Sequence, residues 1–353
     1  MKKDILVKDR TNVVVRFSGD SGDGMQLSGN MFSNLSAVLG NQIATFPDFP
    51  AEMRAPQGTL SGVSGFQVHL GSKVYTSGDK ADVLIAMNPA ALKVNAKTIK
   101  TKSVVIIDTD SFTKRDLEKA EFKTDDPFTE LGLDLVEVVT IPITSLTKSS
   151  LENFDLDLKT KVRSKNMFAL GVVCWLFNRP LDVINEILSD KFSKKPMLLE
   201  ANLKVLIDGY NFGQNNDLLI STYRVESVEN KSGYYIDVNG NKATAYGLIA
   251  ASEKAGKPLF LGSYPITPAT DILQELVLHK SMGVKVVQAE DEIAAICSSI
   301  GASFAGSLAV TTTSGPGLAL KGEAIGLAVM AELPLVIVDV QRGGPSTGLP
   351  TKT

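Results

Sequence analysis

The strongest constraint in this sequence is a series of short, almost unbroken apolar runs: Asp82–Met87, Ser103–Asp108, Leu135–Ile141, Val284–Gln288 and Leu335–Val340. A strand with apolar side chains on both faces cannot lie against water, so such runs belong in sheets covered on both sides. Val13-Val14-Val15 and Pro258–Gly262 read the same way. Between them lie stretches of helical period at 25–39, 89–100, 161–177, 181–188, 196–211, 243–255 and 269–278. Strands alternating with helices predict an α/β chain with open, mostly parallel sheets.

The 353 residues, 44% of them hydrophobic, suffice for two domains that each bury a core. Residues 216–242 are rich in polar and turn-forming types, so we expect a first domain over 1–215, a linker over 216–242 and a second domain from 243 to 353. The formal charge is −3 and the 36 basic residues are scattered, which leaves nucleic-acid binding without electrostatic support. Two cysteines, Cys174 and Cys297, stand far apart in apolar surroundings and read as buried thiols. By themselves they cannot hold an iron–sulfur cluster, a structural zinc or a disulfide framework. No apolar segment follows Met1-Lys2-Lys3-Asp4, and the run Met167–Phe177 is about 11 residues against the roughly 20 that span a membrane. The expectation is a cytoplasmic protein outside the membrane.

After the first strand comes Gly19-Asp20-Ser21-Gly22-Asp23-Gly24, then a helix from Met25. Strand, glycine turn and helix is the unit that offers backbone N–H groups to a phosphate. The spacing G-x-x-G-x-G departs from the dinucleotide fingerprint, and Asp20 and Asp23 would repel a pyrophosphate, so a tight turn is an equal reading. Gly22-Asp23-Gly24 also opens like the magnesium motif of thiamine diphosphate enzymes, but where that motif needs paired asparagines this chain has Phe49-Pro50-Ala51-Glu52. Thr45–Arg54 reads as an ordered surface loop in which Arg54 is an anion contact or a surface ion pair. His69, alone in its domain, reads as structural.

The second domain carries three unusual runs. Thr267 lies between Pro265 and Pro268, which restrict it to extended backbone. Its hydroxyl either meets a substrate carboxylate or caps the helix 269–278. Glu290-Asp291-Glu292 opens a helix, where the dipole alone accounts for acids. Glu292 is followed by Ile293-Ala294-Ala295, a surface able to desolvate a carboxyl and fit it for proton transfer near neutral pH. Arg342 follows an apolar strand inside a Gly/Pro/Ser turn, placed for bidentate grip of a carboxylate or for pairing with Glu332 or Asp339.

Tyr264–Pro268, Glu292 ahead of Gly301-Ala302, Thr313-Ser314-Gly315-Pro316-Gly317 and Gln341–Gly348 stand in an order that resembles the α subunit of 2-oxoacid:ferredoxin oxidoreductases. The likeness is greatest to the 2-oxoglutarate type with a γ domain fused in front, whose start Gly19–Arg54 resembles. The resemblance implies a Rossmann-like γ domain followed by part of a thiamine diphosphate pyrimidine-binding domain. It implies that Glu292 hydrogen-bonds N1′ of the cofactor's aminopyrimidine, that Thr267 and Arg342 hold the substrate carboxylate, and that Ser314, Gly315 and Gly317 lie beside the cofactor. The implied reaction is oxidative decarboxylation of 2-oxoglutarate, or of pyruvate or a branched-chain 2-oxoacid, with the acyl group passing to coenzyme A and electrons to ferredoxin. Mg2+ and a [4Fe–4S] cluster are then expected on a β subunit that completes a heterodimeric active site. A chain ending at Thr353, inside the pyrimidine domain, is expected to be inactive as it stands. A non-catalytic nucleotide-binding or scaffold subunit using the Gly19–Gly24 loop is the alternative.

Overall fold

A computed structural model describes residues 6–50, 55–216, 218–219, 221–228, 236 and 238–341. It divides into two compact units, Met1–Gly233 and Tyr234–Thr353.

The first unit holds β1 (Leu6–Arg10), β2 (Asn12–Asp20), β3 (Gln42–Asp48), β4 (Val63–Gly71), β5 (Ala81–Ala86), β6 (Ile99–Asp108), β7 (Glu137–Ile141) and β8 (Ser221–Val225). Six of these form a sheet in the order β3-β4-β2-β5-β6-β7. β2, β5, β6 and β7 run parallel, while β4 pairs antiparallel with both β2 and β3. Alternate residues of the central strands feed opposite cores, as a pleat requires. Val83, Ile85, Val104 and Ile106 join Phe17, Phe32 and Phe168 on one face. Leu84, Ala86, Val105 and Ile107 join Ala90, Leu92 and Phe122 on the other.

Nine helices cover these faces among the described residues: α1 (Met25–Val38), α2 (Pro89–Asn95), α3 (Lys114–Lys119), α4 (Pro127–Glu130), α5 (Ile143–Ser150), α6 (Leu158–Arg163), α7 (Lys165–Leu176), α8 (Asp182–Phe192) and α9 (Pro196–Asn215). All twelve residues of α7 are buried, so the longest apolar run of the chain is a core helix. Among the described residues no helix is long and apolar enough to cross a membrane.

Three local readings change. Thr45–Asp48 lies in β3 rather than in a loop, and Pro47 is tolerated there because β3 is an edge strand that needs no second donor. The supposed linker contains β8, which pairs parallel with β1 from Leu6↔Ser221 to Arg10↔Val225. Cys174 is buried as expected, but Cys297 is exposed, because it falls on the outer side of its helix.

The second unit is a four-stranded parallel sheet, β10-β9-β11-β12, made of β9 (Leu259–Ser263), β10 (Lys285–Gln288), β11 (Leu308–Thr313) and β12 (Val336–Asp339). Its helices are α10 (Gly240–Ala255), α11 (Thr270–Leu278), α12 (Glu292–Phe304), α13 (Gly315–Leu320) and α14 (Gly322–Met330). Leu259, Leu261 and Val310 pack with α10 and α11, while Ile296 and Ile300 of α12 pack with Ala324 and Ala328 of α14. Because every strand is parallel, Ser263, Gln288, Thr313 and Asp339 all lie at the same edge of the sheet.

Candidate active site

That carboxyl edge carries the three runs singled out in the sequence. Asp291 accepts from Ala294 N at 2.7 Å, so the dipole and capping account is right for Asp291, and Glu290 points into solvent. Glu292, the first residue of α12, is half-buried and turned toward α13. The hydrophobic screen expected from Ile293 is not there, since Ile293 is 51% exposed. Instead, the side chain lies against Gly317, where an added Cβ would stand 2.7 Å from Glu292 Cγ and 3.1 Å from its Oε1. Only glycine leaves room for the carboxyl there.

α13 begins at Gly315 with Pro316 in its first turn, and Ser314 occupies the N-cap position without using its side chain to cap. Ser314 O accepts from Gly317 N at 2.9 Å and Leu318 N at 3.1 Å, which fixes the turn. Its hydroxyl is fully buried and has no hydrogen-bond partner among the described residues. A buried donor with no partner costs free energy unless a ligand completes it. On the next strand, Ser263 Oγ and Thr312 Oγ1 bond at 2.6 Å and tie β9 to β11 below this point.

Two further charged residues stand near the site: Lys321, which the sequence reading passed over, and Asp339, which it named only as a pairing partner for Arg342. Lys321 is completely buried, and its Nζ donates to the main-chain oxygen of Glu292 at 2.8 Å and to Thr311 Oγ1 at 3.3 Å. Burial pulls its ammonium below the ordinary lysine range, and the charges of Glu292 and Asp291 oppose this. One lysine inside the apolar run Leu318–Met330 was the available signal. Asp339, at the end of β12, has one buried carboxylate oxygen without a partner among the described residues, while the other accepts from Gln341 Nε2 at 2.7 Å. Burial raises this carboxyl above its usual range.

Thr267 stands in the turn between β9 and α11 and is not the cap of that helix. α11 starts at Thr270 with Ala269 at its N-cap, so Thr267 stands two residues ahead of the capping position. The turn is held by Asn241 Nδ2, which donates to Pro268 O at 2.9 Å, and by Thr270 N to Ile266 O at 3.0 Å. Thr267 shares the carboxyl edge with Glu292 and Ser314, and among the described residues no hydrogen bond joins it to them. Arg342, and with it the turn Gly343–Gly348, lies outside the described residues, as does Arg54.

In the first unit, the glycine turn between β2 and α1 is filled by its own carboxylates. Both Asp20 oxygens accept from Gly58 N, at 3.1 and 3.0 Å, and Asp23 accepts from Asp20 N at 3.0 Å. Asp23 also pairs with Lys165 at 2.9 Å. Burial, and then the neighbouring Asp23 charge, raise the Asp20 carboxyl. His69 bonds Thr76 O at 2.6 Å and Asn12 Oδ1 at 3.3 Å, a structural role. Among the described residues no cluster of His, Cys, Asp or Glu is suited to hold a metal.

Comparison with known proteins places residues 14–212 in the family described as pyruvate ferredoxin/flavodoxin oxidoreductase, and residues 251–353 in its thiamine diphosphate-binding region. The chain is 49% identical over 343 residues to the 2-oxoglutarate oxidoreductase subunit KorA of Mycobacterium tuberculosis, covering 97% of this chain and 52% of that protein. It is 50% identical over 115 residues to the 2-oxoglutarate synthase subunit KorA of Methanocaldococcus jannaschii, covering 32% of this chain and 30% of that protein. The structure of a 2-oxoglutarate:ferredoxin oxidoreductase from Magnetococcus marinus, with 2-oxoglutarate, coenzyme A and succinyl-CoA bound, superposes with a TM-score of 0.70 at 35% identity, over 97% of this chain and 54% of that one. The chain spans about half the length of the full-coverage relatives it matches.

Proposed function

The chain belongs to the pyruvate ferredoxin/flavodoxin oxidoreductase family, and from that membership we propose that it works as part of a thiamine diphosphate-dependent 2-oxoacid:ferredoxin oxidoreductase. The observation that carries this reading is the cradle at the carboxyl edge of the second sheet. There the Glu292 side chain lies against Gly317, which tolerates no Cβ, and three residues earlier on the same turn stands Ser314, whose buried hydroxyl has no partner among the described residues. Those residues fit an aminopyrimidine: a carboxyl to share a proton with a ring nitrogen, a hydroxyl lacking a partner among the described residues, and glycines at 315 and 317 in the first turn of α13 that leave the backbone open to close approach.

When bound, thiamine diphosphate supplies the carbanion that attacks a 2-oxo carbon and takes up the electrons left after loss of carbon dioxide. In this proposal Glu292 holds and moves the proton at the pyrimidine ring, Ser314 donates to or accepts from the same ring, and Thr267 and Arg342 hold the substrate carboxylate. 2-Oxoglutarate is the favoured substrate because relatives matching nearly the whole chain, and another matching about a third of it, are named for it. Coenzyme A as acyl acceptor and ferredoxin as electron acceptor follow from the same names. Mg2+, the diphosphate contacts and an iron–sulfur cluster are assigned to a β subunit in a cytoplasmic assembly. The scaffold alternative gains nothing from the Gly19–Gly24 loop, since Asp23 already takes the Asp20 N–H and the two carboxylates would repel an incoming phosphate.

The test is viologen reduction by the full-length chain co-expressed with its partner subunit, supplied with 2-oxoglutarate and coenzyme A. Thiamine diphosphate-dependent reduction is expected, and Glu292→Gln should lower kcat by roughly a hundredfold to ten-thousandfold, the range for one positioned acid–base group. Unchanged activity in that variant, or no activity with any common 2-oxoacid, would refute the reading.

A further inference from the structure

A buried ammonium is costly unless an anion pairs with it. Lys321 has 0% exposure and no carboxylate within ion-pair distance among the described residues. Its two acceptors are neutral: the Glu292 main-chain oxygen at 2.8 Å and Thr311 Oγ1 at 3.3 Å. For packing alone, a methionine of similar length would fill the same space without the desolvation penalty. What methionine could not do is grip the carbonyl of the residue whose side chain enters the cradle.

The geometry ties this lysine to Glu292 in a specific way. Lys321 ends α13 and leads into α14, accepting from Ile325 N at 2.9 Å. Gly317, four residues earlier on α13, makes the space in which the Glu292 side chain lies. The same short segment therefore holds Glu292 twice, through its side chain at Gly317 and its carbonyl at Lys321. Thr311 is the neighbouring strand's contribution, so one ammonium joins α12, β11 and the start of α14.

We infer that Lys321 is a positioning residue: its ammonium fixes the first turn of α12 so that the Glu292 carboxyl is held at the pyrimidine-facing cradle. This rests on the proposed function. The charged and titratable groups bearing on Lys321 are Glu292, Asp291 and Cys297, all on or beside the first turns of α12. The inference needs only the ammonium's hydrogen bond to the Glu292 carbonyl.

The experiment compares Lys321→Met and Thr311→Val with wild type in the full-length chain assembled with its partner subunit. Three quantities are read: melting temperature, affinity for thiamine diphosphate by calorimetry without any 2-oxoacid, and the kcat and KM for 2-oxoglutarate. Lys321→Met should melt at or above the wild-type temperature, because an unpaired buried cation has been replaced by a packed apolar chain. It should bind thiamine diphosphate more weakly and lose about a hundredfold in kcat, the scale expected when a catalytic group shifts by about 1 Å. KM should stay within about threefold, as it does when only an interaction on the reaction path is lost. Thr311→Val, which removes only the second acceptor, should stay close to wild type.

A Lys321→Met variant with wild-type kcat and wild-type cofactor affinity overturns the inference. So does one that fails to fold or melts well below wild type, since the lysine would then be holding the fold, and so does a Thr311→Val variant as impaired as Lys321→Met. A wild-type complex without thiamine diphosphate-dependent turnover refutes the functional reading, and this inference with it. Turnover in wild type with no loss in Lys321→Met refutes this inference alone.

Discussion

Asp108, at the end of β6, is fully buried. It accepts from Thr144 Oγ1 at 2.6 Å and from Thr144 N at 3.2 Å. Burial raises its carboxyl, and the Thr144 donors and the Lys165 charge only partly oppose this. The folded protein therefore holds that proton to higher pH than the unfolded chain does. Its contribution to stability is greatest with the proton on, and it declines as pH rises from about 3.9, the unfolded value, through the raised folded value. Asp108→Asn cannot ionise, so its unfolding free energy relative to wild type should improve steadily as pH rises across that window. Urea unfolding at successive pH values measures this, and a gap that stays constant with pH would count against the raised carboxyl. Asp108 shows what the sequence conceals at this scale. It ends an apolar run where any strand might end, and only the fold reveals that α5 brings Thr144 to it. Glu292 was legible because its place at a helix start between known motifs singled it out. Its actual setting, against Gly317 rather than under Ile293, depends on a contact between two helices far apart in the chain. Lys321 was overlooked because a single lysine in a helical run ordinarily reaches solvent.

At the scale of elements, the close approach of α12 to β9 decides where the cradle sits. A Cβ on Gly262 would meet the carbonyl of Ala295 and the hydroxyls of Ser298 and Ser299, the last at 2.6 Å. Ser299 also donates to Val310 O at 2.9 Å, which ties the helix to β11. Gly262→Ala should cost about 1–3 kcal/mol of stability, the usual penalty for overpacking a filled interface. Denaturant midpoints would show it, and a midpoint equal to wild type would mean that α12 can draw back freely. The parallel core strands were readable because burial on both faces leaves an apolar run that helices do not interrupt. β3 was not, because Pro47 and the 50%-exposed Phe46 give it the composition of a loop. β1 was silent for a related reason: all five of its residues are exposed, so no alternation marks it.

For the whole molecule, the proposal gives this chain one half of a cofactor site. The chain alone should bind thiamine diphosphate weakly or not at all, and affinity should rise by at least about tenfold, or 1.4 kcal/mol, when the partner subunit supplies the diphosphate and metal contacts. Calorimetric titration of each preparation decides this, and equal affinities would place the whole site on one chain. Composition marked residues 216–242 as polar and turn-rich but could not show the strand inside them, since its partner is more than two hundred residues away. That pairing of β1 with β8 has a consequence for how such proteins are assembled over time. The first unit's opening strand is hydrogen-bonded to its closing one; because the two run parallel, the polypeptide enters at Leu6 and leaves at Val225, at opposite ends of the pair. The unit's two ends therefore stay within the length of one short strand, as in a cassette that can be spliced in or out at a single seam. Fusion or separation at that seam is therefore open to gene rearrangement without redesign of the unit's interior.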